Sequence, residues 1–323
     1  MISKNWKLRS YPISKIEQNH FELVEEPVQG TTVVQNKFLT VDPSTKPLLN
    51  PKEIKTGDFI IGDAVGEVME SSRPDLKPGD IIVHKKGWRE YAVLDDTEWV
   101  LKVPDTSIDL SFYLSILGST ARTAFVGATE VLKLHPGMQI GVSGATGAVG
   151  SVFAQIAKMH GCDVLGYTSS LEKMNWLKDE LGIHAVNSNG LSLDKLDTET
   201  KNIFPNGFDA YQEHVDNMHI LNAIMNMKEK TTISLCGMMK IYNQPMGPGP
   251  NIAMCIWKNI NIQGFFIKHY SKEVSQDKFF EYMSVNLPKM KWKQTVVDGI
   301  EHMDRVFVDM YENFDKGKLI VKI

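Results

Sequence analysis

Between Gln139 and Gly166 the chain reads QIGVSGATGAVGSVFAQIAKMHGCDVLG, with Gly144, Gly147 and Gly150 recurring at every third position. Glycines so spaced serve three ends: a tight turn, a close approach of backbone to phosphate, and a helix packed near its strand. A short apolar run precedes them, an amphipathic stretch follows and a second apolar run closes the segment. That is the order strand, turn, helix, strand. A helix starting near Ala148 turns its free N–H groups and the positive end of its dipole toward an anion. The chemistry this implies is capture of a dinucleotide pyrophosphate by Gly144, Gly147, Ala148, Val149 and Gly150.

The next strand says which dinucleotide. In an NAD site of this kind an acidic residue about twenty positions after the glycines takes the ribose hydroxyls. Here the strand ends in Tyr167-Thr168-Ser169-Ser170, hydroxyls without a carboxylate, and Lys173 follows. Ser169 and Lys173 suit a 2′-phosphate, so NADP(H) is the expected cofactor. Glu172 adjoins Lys173 but on a helix can point away from it.

These residues need a scaffold. Residues 1 to about 113 are rich in short β-branched or alternating runs punctuated by Pro, Gly and Asp, such as TTVVQNKFLTV and DIIVHKKGWREYAVL. They predict a compact barrel-like unit. From Leu110 to Leu134 the apolar spacing turns helical, and His135-Pro136-Gly137 ends that pattern. Beyond it, α and β segments alternate. Strands are expected at Asp163–Tyr167, His184–Val186, Phe208–Glu213, Thr232–Cys236 and Asn261–Ile267, and helices at Ser151–His160, Leu171–Leu181, Met218–Met227 and Ser271–Leu287. Such alternation predicts an α/β fold with a doubly wound parallel sheet. The strand-like Leu319–Ile323 is expected to return to the first unit. The division is therefore 1–113 with 288–323, and 114–287.

Bulk properties are those of an ordinary globular protein. A length of 323 residues suggests roughly two domains. A net charge of −4 gives no reason to expect nucleic acid or an anionic membrane as partner. Cys162, Cys236 and Cys255 show no paired spacing, which fits a reducing compartment. MISKNWKLRSYP lacks the apolar core of a signal peptide and no apolar run approaches a membrane span, so a cytoplasmic location is expected.

Several motifs stand in a familiar order: Phe21-Glu22-Leu23, Glu25-Glu26-Pro27, Val41-Asp42-Pro43, Gly147-Ala148-Val149-Gly150, Cys236-Gly237, Tyr242-Asn243 and Ile320-Val321-Lys322. Through them the chain resembles the medium-chain dehydrogenase/reductase superfamily. Within it, the similarity is to the zinc-independent double-bond reductases of the prostaglandin reductase/leukotriene B4 12-hydroxydehydrogenase and plant alkenal reductase group. The resemblance implies a GroES-like β-rich domain plus a Rossmann domain, a homodimer, and NADPH-dependent reduction of the C=C bond of α,β-unsaturated aldehydes or ketones. It puts Tyr242 at the active-site tyrosine, where a neutral phenol can donate to the developing enolate oxygen. It puts Lys173 at the 2′-phosphate, and Cys236, Gly237, Phe265 and Ile267 on segments lining the nicotinamide. For the Phe-Phe-Ile side chains a buried strand is the competing expectation.

The chain also departs from that pattern. Ser44-Thr45-Lys46 replaces Tyr-Met-Arg, the second cofactor tyrosine becomes Ser188, and Asp-Asn-Val-Gly-Gly becomes Glu213-His214-Val215-Asp216-Asn217. A cofactor-side asparagine becomes Asp315. Zinc chemistry is not expected: no cysteine precedes Cys162, and Gly62-Asp63-Ala64-Val65-Gly66-Glu67 stands where zinc dehydrogenases carry Gly-His-Glu. A quinone reductase of the same superfamily, or a weakly catalytic nucleotide-binding homologue, are the alternatives.

Overall fold

The computed structural model describes residues 1–245, 247–270, 276–312 and 317–323. Asp315 and the first five residues of the helix expected over 271–287 lie outside them. The chain separates into two units. One comprises Met1–Gly118, Tyr242–Pro245 and Lys293–Ile323, the other Ser119–Ile241 and Met246–Trp292.

In the second unit six strands form one sheet: Gln139–Val142, Asp163–Thr168, His184–Asn187, Phe208–Glu213, Met227–Leu235 and Asn261–Gly264. Every neighbouring pair is parallel. Numbered along the chain, the strands lie in the order 3-2-1-4-5-6. Parallel neighbours cannot be joined by hairpins, so helices Gly150–Met159, Leu171–Asp179, Leu193–Ile203, Asn217–Asn226 and Met254–Lys258 carry the chain back. The order reverses at Gln139–Val142, which lies between the second and fourth strands. The helix after it is buried at every residue from Gly150 to Ala157. A helix covered on all sides needs apolar or small residues all round, which GSVFAQIA nearly supplies.

Four stretches differ from expectation. The 110–134 helix is two pieces, a 3-10 turn at Leu110–Leu114 and a helix from Ser119, because Ser115 leaves helical geometry at φ −120°, ψ −101°. Strand 261–267 stops at Gly264 and Ile267–Tyr270 is a 3-10 turn, so Phe265 to Ile267 is no buried strand, and Phe266 is exposed. Helix Leu193–Ile203 and strand Gln294–Asp298 were not anticipated.

The first unit is built on a seven-stranded sheet and a two-stranded ribbon, Ile2–Leu8 against Phe21–Pro27. Its C-terminal strand Lys318–Lys322 runs antiparallel to Val33–Val41, with Gln294–Asp298 parallel on its other side. Phe21, Trp88 and Phe307 pack ring on ring at 5.4 to 5.7 Å in the core. No helix among the described residues is long and apolar enough to cross a membrane.

Candidate nucleotide site

Because all six strands of the second unit are parallel, their carboxyl ends share one edge of the sheet, and there ligands of such folds collect. The residues singled out from sequence fall at that edge. Gly144 comes two residues after the first strand, and Ser169, Ser188, His214, Cys236 and Phe265 each follow directly on one of the other five. Gly237 is one position beyond Cys236, and Ile267 opens the turn after the last strand. Tyr242 ends the short helix Met239–Tyr242 and belongs to the first unit.

The turn is built as its glycines require. Gly144 sits at φ +56°, where only glycine is unstrained. Its carbonyl accepts the Gly147 N–H at 2.9 Å, and Ala145 N–H donates to Tyr167 O at 3.0 Å, tying the turn to the second strand. A Cβ on Gly150 would stand 2.4 Å from Gly144 O, so the helix start and the turn touch backbone to backbone. The helix proper begins at Gly150, two residues later than expected, but Ser151 N–H already bonds Gly147 O at 3.0 Å. The N–H groups ahead of Ser151 have no acceptor within the helix, which is the arrangement that receives a phosphate.

At the tip of the second strand Lys173 is 9% exposed, and its ammonium donates to Ser169 Oγ at 3.1 Å. Glu172 beside it is exposed. Ser170 caps the helix by accepting the Lys173 N–H at 3.2 Å. A hydroxyl and an ammonium held together here, with no carboxylate at the strand tip, match a ribose 2′-phosphate.

The fourth strand ends in buried polar groups. Glu213 is fully buried, and its Oε1 accepts the N–H groups of Val215 at 2.5 Å and Asp216 at 2.9 Å. Burial pushes its carboxyl up to about 7, against the opposing pull of His219 and those N–H groups. His214 donates its backbone N–H to Ser143 Oγ at 2.7 Å, while its buried Nε2 has no hydrogen-bond partner among the described residues. Burial lowers its imidazole to about 4, so the ring is neutral at pH 7. A Cβ on Gly144 would lie 3.4 Å from His214 Cβ, which sets His214 beside the glycine turn. An orphaned ring nitrogen there fits a bound group that supplies the missing partner.

Two features escaped the sequence reading. Asp216 caps helix Asn217–Asn226, accepting from His219 N–H at 3.0 Å and facing its Nδ1 at 2.7 Å. Burial works against the Asp216 carboxylate, but His219 and Lys240 hold it well below the usual range. His219 Nε2 meets Ser188 Oγ at 3.1 Å, and Ser188 donates to Thr168 O at 3.0 Å. The chain Asp216, His219, Ser188, Thr168 thus ties together the ends of three strands. Its one legible sign was Asp three positions before His at a helix start. The second feature is Ser143, the hydroxyl that fixes His214. Burial lifts the Cys236 thiol to about 12, which keeps it in the less reactive thiol form at pH 7.

Residues 4–102 match a family model described as the N-terminal domain of oxidoreductase, and residues 148–283 one described as zinc-binding dehydrogenase. The chain is 31% identical to prostaglandin reductase 1 of Bos taurus, over 99% of each. It is 31% identical to the 2-alkenal reductase (NADP(+)-dependent) of Nicotiana tabacum, over 90% of this chain and 87% of that one. CurA from Vibrio vulnificus shares its structure with a TM-score of 0.86 at 25% identity, over 99% and 98% of the two chains. As for the zinc in the second description, no group of three or more His, Cys, Asp or Glu among the described residues could hold a metal ion.

Proposed function

This chain belongs to the prostaglandin reductase and alkenal double-bond reductase group of the medium-chain dehydrogenase/reductases, and we propose that it reduces the C=C bond of α,β-unsaturated aldehydes or ketones with NADPH. It is an NADP-dependent oxidoreductase, in keeping with the relatives' names. The observation that carries the cofactor assignment is Lys173, buried against Ser169 where an NAD site would hold a carboxylate.

The turn from Gly144 to Gly150 holds the pyrophosphate, Ser169 and Lys173 hold the 2′-phosphate, and His214 offers its unpaired Nε2 to the cofactor. Backbone after Cys236 and Phe265 lines the nicotinamide side. Reduced nicotinamide, when bound, supplies a hydride to the substrate's β-carbon. Charge then builds on the carbonyl oxygen, and the Tyr242 phenol donates a hydrogen bond to it. Much of the remaining acceleration comes from holding the two reactants in register.

The partner is a second copy of this chain. Ile256 and Trp257 are 78% and 84% exposed on a helix preceding Asn261–Gly264, the edge strand of the parallel sheet. Exposed apolar side chains on a helix that leads into an edge strand call for a cover.

The test is NADPH oxidation with a 2-alkenal, an enone and a quinone, in wild type and Tyr242→Phe. Turnover of the first two acceptors is expected. Tyr242→Phe should lower kcat on the order of a hundredfold with cofactor affinity nearly unchanged. Quinone turnover alone would favour a quinone reductase, and nucleotide binding without turnover a non-catalytic homologue. An unchanged kcat in Tyr242→Phe removes the phenol from the mechanism.

A further inference from the structure

Lys46 is a lysine that the mechanism above does not use. It is 8% exposed, in the 3-10 segment Pro43–Leu48 of the first unit. Its ammonium donates to two backbone carbonyls, Ser14 O and Tyr242 O. Desolvation lowers its pKa, and it makes no ion pair among the described residues to offset that. A buried cation satisfied only by carbonyls is a poor source of stability. What it does supply is a polar crosslink that fixes the Tyr242 carbonyl.

The next residue is held as well. Asn243 Oδ1 accepts the Ile16 N–H at 2.7 Å, so segment Ser14–Ile16 holds the Tyr242-Asn243 step directly at Asn243 and through the Lys46 ammonium at Tyr242. Segment 43–48 is itself fastened: Tyr311 OH donates to Pro43 O at 2.9 Å, and Lys318 pairs with Asp42. The Tyr242 side chain packs against the core of the same unit. Tyr242 sits at the end of a helix only four residues long, and so short a helix cannot fix its own geometry. Its position is therefore set by these tertiary anchors.

We infer that Lys46 is a positioning residue for Tyr242, with Asn243 as the second anchor. The inference rests on the reading of Tyr242 as the enolate donor. A displaced donor loses transition-state stabilisation and leaves cofactor binding intact, because the hydrogen bonds Lys46 makes among the described residues go to backbone of the first unit.

The experiment measures kcat and the NADPH dissociation constant for Lys46→Met, Lys46→Arg, Asn243→Ala, Tyr242→Phe and the double variant Lys46→Met/Tyr242→Phe. Lys46→Met should lower kcat about tenfold, with NADPH affinity within twofold of wild type. Lys46→Arg, whose guanidinium can still bridge two carbonyls, should recover most of it. In the double variant kcat should fall no further than in Tyr242→Phe alone. If the two losses multiply instead, Lys46 acts independently of the phenol and the inference fails. It fails too if Tyr242→Phe is impaired while Lys46→Met turns over like wild type. Tyr242→Phe with wild-type kcat would overturn the donor reading and the inference with it. Should Lys46→Met not fold, Asn243→Ala carries the same comparison: lowered kcat at unchanged NADPH affinity supports the anchoring, and wild-type kcat overturns it.

Discussion

Lys173 can be separated from a solvated surface lysine by both its burial and its partner. An ordinary helix lysine lies in water, whereas this one is folded back onto Ser169 at the strand tip. Lys173→Ala is expected to raise the KM for NADPH about tenfold or more, the worth of a charged hydrogen bond, and to leave NADH kinetics nearly unchanged. Steady-state kinetics with both nucleotides checks this, and equal effects on the two would remove Lys173 from the phosphate site. Other residues were legible only as types. Ser188 and His214 stand where the resembled family carries other residue types. Nothing local shows that Ser188 bonds Thr168 O and His219, or that His214 Nε2 is orphaned, because those partners arrive from other strands. Asp216, which looked like a loss of glycine, is a helix cap.

The strand, turn and helix from Gln139 to Met159 form the element on which the proposed nucleotide binding rests. Its legibility follows from glycine's backbone freedom, which is a local property. At Gly150 the requirement is spatial: Gly150→Ala would place a methyl 2.4 Å from a backbone oxygen that cannot swing aside. The turn must open, so NADPH binding should weaken at least about tenfold, read by fluorescence titration; wild-type affinity would refute the backbone contact. Helix Leu193–Ile203 shows the opposite case. Leu196 and Thr200 are its buried residues, and the stripe they make with Leu193 and Ile203 is thin among charged and polar neighbours, while its start rests on Ser192 capping Lys195 N–H. Phe265 to Ile267 misled for a related reason. The run is apolar enough for a buried strand, but its chain leaves the sheet at Gly264 and exposes Phe266.

For the whole molecule the expected assembly is a homodimer through the exposed apolar helix and the sheet edge beside it. Trp257→Glu combined with Ile256→Lys should shift the protein to monomer in sedimentation at micromolar concentration; a wild-type protein that is already monomeric there would refute the assignment. The sequence by itself determined the alternation of α and β, the glycine turn and NADP(H) as the cofactor. All of these are written in residue type and spacing over short stretches, where propensity and hydrogen-bonding capacity act locally. Only the tertiary structure decided which strand ends became neighbours, and therefore that Asp216, His219, Ser188 and Thr168 form one chain. It likewise decided that Lys46 reaches the carbonyl of Tyr242, 196 residues away. Contacts of that separation depend on where the sheet order and the folded core bring the backbone, and no pattern of neighbours along the chain encodes them.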